Sequence, residues 1–199
     1  MRFVSRLRIP LLLLLGAISS GCPVSQHPVG VRADAVSEPR LAGTWEGVSG
    51  DDDEDSDWRR LHVFADSSAT SFDVVAIDDD GWAVLQGYVT VHDGRRYLNL
   101  TLRDASDEIL RDVRETRETY PYWFAAIRFE DADEVEVAFL VDTISELIRD
   151  GRLAGTPGSQ QHETRLTSTS DEIASELAAK RDVDVFADAL RYRRLTEPK

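Results

Sequence analysis

The chain of 199 residues is poor in cysteine and in basic side chains, and both shortages exclude classes of protein. A single cysteine, Cys22, has no partner for an intramolecular disulfide and cannot supply a zinc cluster built from several cysteines. Only 23 basic side chains oppose 37 acidic ones, which gives a formal charge of −14. We therefore expect no nucleic acid partner, because no basic stripe offsets the repulsion from phosphates.

The motifs of common catalytic sites are also missing. The sequence contains no Gly-x-Ser-x-Gly nucleophile elbow, no Gly-x-Gly-x-x-Gly and no phosphate-binding loop. None of the four histidines has the spacing of a metal-binding pair; they are His27, His62, His92 and His162. We predict no enzyme and no cofactor, with a hydrolase of unrecognised type as the alternative, since Ser, His and Asp are plentiful.

No apolar run is long enough for a transmembrane helix, but a shorter run lies at the N-terminus. Arg2, Arg6 and Arg8 precede an apolar stretch over residues 9–18, which is about half of the ~20 residues that span a bilayer. Small residues follow at 19–21. A basic segment, a short apolar segment and small residues, in that order, are typical of a secretory signal peptide.

The residues around the only cysteine refine this prediction. Residues 18–22, Ile-Ser-Ser-Gly-Cys, resemble the lipobox of bacterial lipoproteins, with Ser19 at the place where leucine is usual. The resemblance implies that residues 1–21 are removed and that lipidated Cys22 anchors the mature chain to a membrane. It favours the outer membrane, because Pro23 rather than Asp follows the cysteine, with the globular part in the periplasm or at the cell surface. An ordinary secretory signal is the alternative.

Removal of the signal would make the protein more acidic. Residues 1–21 hold three arginines and no acid, so the formal charge becomes −17 without them. A lipid anchor gives membrane attachment without a basic surface. Residues 22–40 contain three prolines and no clean periodicity, so we expect a flexible tether there and a single domain over residues 41–199.

From Leu41 onward, apolar residues alternate with period two. The clearest run covers residues 96–103 and places Leu98, Leu100 and Leu102 on one face. The run at 85–92 precedes it, and Asp93-Gly94 between them suits the positive φ angles of a tight hairpin turn. Weaker runs predict strands at 41–48, 58–65, 71–77, 122–130, 134–141, 163–168 and 189–195.

These runs predict a mostly β fold, an antiparallel up-and-down β-barrel of about 8–9 strands. Residues 106–119 are highly charged and form either a helix or a long loop. Two sequences of the capping-box form, starting at Thr143 and Thr169, predict a short helix near 143–150 and a C-terminal helix near 170–181. Both helices precede the last strand.

The start of the first barrel strand carries a second resemblance. Gly43-Thr44-Trp45, followed by a meander of about eight strands, a helix and a final strand, resembles lipocalins and the wider calycin group. The resemblance implies that Trp45 packs at one end of the barrel and that a late arginine lies across its ring. Spacing does not choose among Arg191, Arg193 and Arg194, and Arg193 is our working assignment. Another small β-barrel or sandwich with a core Trp is the alternative.

Two hypotheses for function follow, and the barrel interior separates them. A barrel of about eight strands holds either one small ligand or filling side chains. The first hypothesis is a small apolar ligand, with candidate pocket residues Trp82, Leu98, Trp123, Ile127 and Val137. The second is a structural or interaction protein with a filled core, which acts through acidic loops on an unknown protein partner. An interior cavity favours the first hypothesis, and solid packing favours the second.

The most conspicuous polar run is residues 51–57, where six of seven side chains are carboxylates. Asp51, Asp53 and Asp55 alternate as in an EF-hand, and calcium prefers carboxylate oxygens. However, Ser56 stands where the turn needs glycine, and His62 stands where the closing acid belongs. We reject an EF-hand and expect a solvated loop, with a looser calcium site as a minor hypothesis.

Overall fold

The computed structural model describes residues 23–48, 60–78, 81–158, 164–187 and 189–195. The strands are β1 (Val24–Ser25), β2 (Gly43–Gly47), β3 (Arg60–Ala65), β4 (Phe72–Asp78), β5 (Gly81–His92), β6 (Arg95–Ala105), β7 (Tyr122–Phe129), β8 (Glu134–Ala138), β9 (Gly155–Thr156), β10 (Arg165–Leu166) and β11 (Leu190–Arg194). The α-helices are α1 (Asp107–Thr119), α2 (Val141–Arg149), α3 (Ser170–Ala178) and α4 (Asp182–Val185). Among these residues, no helix is both long and apolar enough to cross a bilayer.

Eight of the strands close into an antiparallel barrel. Strands β2 to β8 follow one another as neighbours, β6 also pairs with β7, and β11 completes the ring between β8 and β2. The predicted mostly β fold, with a closed barrel and a few short helices, is confirmed. One detail differs from the order that the lipocalin resemblance implies. The resemblance implies eight strands before the helix, but only seven barrel strands precede α2 and α3. The final strand, β11, is the eighth strand of the ring.

The predicted hairpin forms with its tight turn. Asp93 and Gly94 both have positive φ, 48° and 77°, as a two-residue turn of this kind requires. The register pairs His92 with Arg95 and Val89 with Leu98. We call the end of the barrel that holds this turn the lower end; β2 and β6 begin there, and β11 ends there. The opposite end is the upper end.

Apolar side chains fill the barrel in two clusters. The upper cluster includes Leu85, Leu100 and Trp123, and Ile109 packs into it, so α1 covers the upper end. The lower cluster includes Trp45 and Phe72. The charged segment at 106–119 therefore resolves to a helix, α1, whose apolar face completes the core.

Helices α2, α3 and α4 cover the outer face of the wall formed by β6, β7 and β8. Phe124 and Ala126 of that wall are buried together with Ile144 of α2 and Ile173 of α3. Thr169 caps α3 as predicted, and both reciprocal hydrogen bonds with Glu172 are present. The capping box expected at Thr143 does not form. Helix α2 begins earlier, at Val141, directly after Leu140 in the left-handed conformation.

Residues 23–41 do not form the flexible tether that composition predicts. They form a strap that wraps the outside of the barrel, beginning with β1 against β7 and ending in a 3-10 helix, Pro39–Leu41, at the lower end. Val24 and Val29 are fully buried. The backbone N–H of Val29 donates to the buried Asn99 Oδ1 at 2.7 Å. Tertiary contacts of the barrel thus order a segment whose own composition cannot.

Several predicted features lie outside the described residues. They are the signal peptide with Cys22, and the acidic run that contains Asp51, Asp53 and Asp55. Their functional assignments stay predictions.

Candidate functional site

The barrel interior holds a cavity of about 60 Å³ in its lower half. Every side chain around it is apolar apart from the phenol of Tyr192; the lining residues are Leu41, Trp45, Leu61, Val63, Phe72, Val74, Leu98, Ile127, Val135, Val137 and Tyr192. Three of the five residues predicted from sequence, Leu98, Ile127 and Val137, lie on this lining. An apolar cavity of this kind stays dry.

The two tryptophans predicted for the pocket lie elsewhere. Trp82 is 41% exposed, because it alternates with the inward-facing Ala83 on β5 and so points to the outside of the barrel. Trp123 faces inward but belongs to the upper cluster, where it fills space instead of lining the cavity. Its buried indole N–H has no hydrogen-bond partner within the described part of the chain.

The cavity is small by the standard of ligand sites. Small-molecule pockets measure roughly 300–1,000 Å³, and an engineered apolar cavity of about 150 Å³ is known to accept benzene. The volume of about 60 Å³ is well below both values. Around this cavity the described side chains thus fill most of the space, as the second hypothesis requires.

The lower end is closed by Trp45 and an arginine, but the arginine is Arg194. Its guanidinium carbon lies 4.5 Å from the centre of the Trp45 ring system, and its two terminal nitrogens donate to the carbonyls of Ala42 and Arg40. The working assignment of Arg193 is wrong. Arg193 alternates outward on β11 and pairs with Glu134 at 2.8 Å.

The same contact explains the glycine of the Gly-x-Trp motif. Gly43 has a φ of 140°, and a Cβ atom there would lie 2.6 Å from Arg194 Nη1. A side chain at this position would therefore strain the backbone and displace the guanidinium. The Trp45 indole N–H donates to the Leu41 carbonyl at 2.8 Å, which ties the end of the strap to the ring.

A buried carboxylate lies beside this closure. Glu38, at the end of the strap, is only 4% exposed, and its two oxygens accept from Arg40 at 2.7 and 2.8 Å. Arg96 Nε donates to the same carboxylate at 2.9 Å. Burial by itself raises the pKa of Glu38, but the hydrogen bonds and positive charges of Arg40 and Arg96 outweigh burial and hold the pKa below its ordinary value.

Four arginines line a second cavity of about 140 Å³ at the lower end, which we call the arginine pocket. They are Arg40, Arg95, Arg96 and Arg128, and they share the lining with Gly94, Ile127, Phe129, Asp182 and Phe186. Sequence reasoning missed this cluster, because its members come from the strap, β6 and β7 and have no common motif.

A third cavity of about 240 Å³ adjoins the arginine pocket and shares Arg128 with it. Its other polar lining residues are Glu130, Glu134, Glu136 and Arg191. Glu136 is nearly buried and pairs with both Arg128 and Arg191, so opposite charges compensate each other on this surface. Within the described ranges, no group of three or more His, Cys, Asp or Glu side chains is arranged to hold a metal ion.

Comparison with known proteins adds no assignment. No protein-family model, curated protein or solved structure matches this chain. The functional argument therefore depends on the geometry of the barrel and its surface.

Proposed function

We propose that this protein is a lipid-anchored component of the bacterial cell envelope whose barrel is a rigid scaffold for a protein partner. The observation that carries the proposal is the small size of the cavity that the described residues enclose in this eight-stranded barrel, about 60 Å³. A barrel of this size either encloses a small ligand or is filled by side chains. Large buried residues such as Trp45, Phe72 and Trp123 occupy the interior here, which supports the second arrangement.

The charge of the molecule supports a partner with a basic surface. The chain without residues 1–21 has a formal charge of −17, and six acids occur within residues 51–57 alone. Such a field speeds encounter with a positively charged surface and repels acidic ones. The lipid on Cys22 would keep the protein at the membrane, where its partner would also be located.

A cross-linking experiment in intact cells tests the role of the acidic run. The variant carries Asp51→Asn, Asp53→Asn and Asp55→Asn, which removes three charges from the acidic run. A control variant carries Asp142→Asn, Glu146→Gln and Asp150→Asn, three exposed acids on or beside α2. We expect the variant of the acidic run to lose the cross-linked complex and the control variant to retain it. Loss in neither variant, or equal loss in both, contradicts the proposal.

The membrane anchor has a separate test, because a partner interaction does not depend on lipid. Cys22→Ser removes the only thiol and with it the predicted lipidation site. We expect the variant to move from the membrane fraction to the soluble fraction of the envelope. If fractionation does not change, Cys22 is not the anchor.

A small apolar ligand is the second candidate, and the lining of the cavity favours it. Leu98, Ile127 and Val137 lie there as the ligand hypothesis predicts. The volume limits such a ligand to a few non-hydrogen atoms unless side chains move. Mass spectrometry of the native protein would detect it, and a stoichiometric small ligand in the purified protein would favour this candidate over the scaffold.

A further inference from the structure

The arginine pocket concentrates positive side chains on a strongly acidic protein. The chain has a formal charge of −14, yet four guanidiniums and one carboxylate, that of Asp182, line this cavity of about 140 Å³. Of the 23 basic residues, 21 are arginines. Arginine presents a rigid fork of N–H donors that matches the geometry of carboxylate and phosphate groups.

Arg95 supplies a fixed charge at the wall of the pocket. Its side chain is only 11% exposed. Nη1 donates to the Leu177 carbonyl at 2.7 Å, Nη2 donates to the Lys180 carbonyl at 2.8 Å, and Nε donates to Asp182 at 2.9 Å. These bonds to the end of α3 and the start of α4 leave Arg95 no freedom to turn, so it contributes its charge at a constant position.

Arg40 and Arg96 share a single counter-charge. Both donate to Glu38, which lies on the strap side of the pocket. One buried carboxylate therefore faces two guanidiniums. Arg40 also stacks 4.0 Å above the centre of the Phe129 ring, which holds its plane in place. Within the described part of the chain, Arg96 donates through Nε alone, so both of its terminal nitrogens are available.

Arg128 is held from the opposite side. Its Nε and Nη2 donate to Glu136, and Nε lies 2.9 Å from Glu130. Its guanidinium stacks 4.5 Å from the centre of the Phe186 ring. Among described acceptors, none binds its Nη1, nor that of Arg40. Each guanidinium has five N–H donors, so three of the four arginines keep unused donors beside the cavity.

We propose that the arginine pocket binds a small oxyanion, a phosphate or carboxylate group, through the free N–H donors of Arg40, Arg96 and Arg128. Preorganised donors cost little entropy on binding, and here carboxylates and aromatic rings already fix the guanidinium planes of Arg40 and Arg128. The volume of about 140 Å³ is several times what one water molecule needs, which suits an anion of a few heavy atoms. This site is separate from the barrel cavity.

Titration of the purified protein with inorganic phosphate tests the site, with sodium acetate as a second arm and sodium chloride holding the ionic strength constant. We expect saturable binding in calorimetry and a matching rise in Tm, since a ligand that binds only the folded state stabilises it. The anion that binds more tightly identifies the group as phosphate or carboxylate. If neither anion gives a saturable response, the proposal is wrong.

Two variants and a matched control locate the binding. Arg96→Gln and Arg128→Gln each remove donors from the pocket, and we expect each to weaken anion binding about tenfold or more. Arg103→Gln is the control, because Arg103 lies on β6 as well but pairs with Asp73 away from the pocket. Arg96 also supports Glu38, so Arg128→Gln decides the test if Arg96→Gln fails to fold. Wild-type affinity in Arg128→Gln would place the anion elsewhere and overturn the proposal.

Discussion

A few single residues close the lower end of the barrel, and Arg194 makes the most contacts among them. Its guanidinium covers Trp45 and also binds two backbone carbonyls that no other described side chain reaches. The preceding residue, Arg193, carries the same charge but faces solvent. Neighbouring arginines with opposite orientations provide a comparison in which charge is constant and only location differs.

Replacing Arg194 should therefore cost far more stability than replacing Arg193. A desolvated contact of arginine with tryptophan contributes up to about 2 kcal/mol, and the lost hydrogen bonds add to this. We expect Arg194→Gln to lower the free energy of unfolding by about 2–3 kcal/mol and Arg193→Gln by less than about 1 kcal/mol. Urea denaturation of both variants measures the difference. Equal losses would show that the ring contact contributes nothing.

Glu38 should make the protein sensitive to acid. Its pKa in the folded state is below the ordinary value, whereas an unfolded Glu titrates near 4.3. The carboxylate therefore contributes stability above about pH 4.3, and that contribution is lost as the pH falls through the lower folded pKa.

The Glu38→Gln variant tests this contribution. At neutral pH we expect it to be less stable than wild type by about 2 kcal/mol, the value of charged hydrogen bonds. The difference should shrink below pH 4. Glu134→Gln, in an exposed pair with Arg193, is the control and should change the pH profile little. A constant difference across the acid range would contradict the role assigned to Glu38.

At the scale of helices and strands, the sequence predicts those elements whose geometry is determined by residues close together in the chain. The β5–β6 hairpin was predicted because Asp93-Gly94 supplies the turn and the alternation supplies the faces. Helix α3 was predicted because its capping box lies within four residues of sequence. Composition predicts a tether instead of the strap, because the partners of the strap are distant in sequence; Asn99 lies 70 residues from Val29. The composition of a segment gives no information about contacts with residues so far away in the sequence.

The arginine pocket was missed for the same reason. Arg40, Arg96 and Arg128 are separated by dozens of residues, and the register of β6 and β7 brings two of them together at the lower end. For Trp82, the size of the side chain predicts a place in the pocket, but the alternation of β5 places it on the outside of the barrel. The period-two alternation predicts correctly which side chains point into the barrel. The type of a side chain alone does not predict whether it lines a pocket.

Asn99 is the buried residue of β6 that binds the strap at Val29. It is the only asparagine of the chain, is fully buried, and exchanges hydrogen bonds with the N–H and carbonyl of Val29. Asn99→Ala leaves the buried Val29 N–H unpaired and leaves the Val29 carbonyl with the Thr90 hydroxyl alone, so we expect a loss of about 2–3 kcal/mol in the free energy of unfolding. Trypsin should also cleave faster after Arg32, which lies in the strap.

Thr101→Ala is the matched control for this change. Thr101 lies two residues further along the same face of β6, is only partly buried, and donates to a strand carbonyl instead of the strap. We expect a loss of at most about 1 kcal/mol and no faster cleavage after Arg32. Equal cleavage rates in Asn99→Ala and wild type would restore the tether hypothesis.

For the whole molecule, the strap changes how the proposed anchor would present the barrel. A flexible segment of 18 residues would have a reach of roughly 25 Å. Instead, Pro23, the residue after Cys22, is buried, and Val24 pairs with Trp123 of the barrel wall. A lipid on Cys22 would therefore hold the barrel directly at the bilayer surface, in a defined orientation. Such an orientation suits a scaffold that presents fixed surfaces to a partner.

The barrel interior is either a filled core with a small void or a ligand site, and one added methylene distinguishes the two. Val74 lines the cavity of about 60 Å³, so Val74→Ile can place its extra carbon in empty space. If the barrel is a filled scaffold with a residual void, we expect a gain of about 0.5–1 kcal/mol in the free energy of unfolding, the usual return of cavity filling. Val75→Ile is the control, because Val75 is the next residue on β4 and faces outward.

If a ligand occupies the cavity, Val74→Ile should instead displace it and lower the Tm of the protein as isolated, because bound ligand stabilises the fold. Urea denaturation of protein before and after extraction with organic solvent distinguishes these results. A lower stability of Val74→Ile before extraction and a higher one after it would assign the barrel to ligand binding and overturn the scaffold proposal.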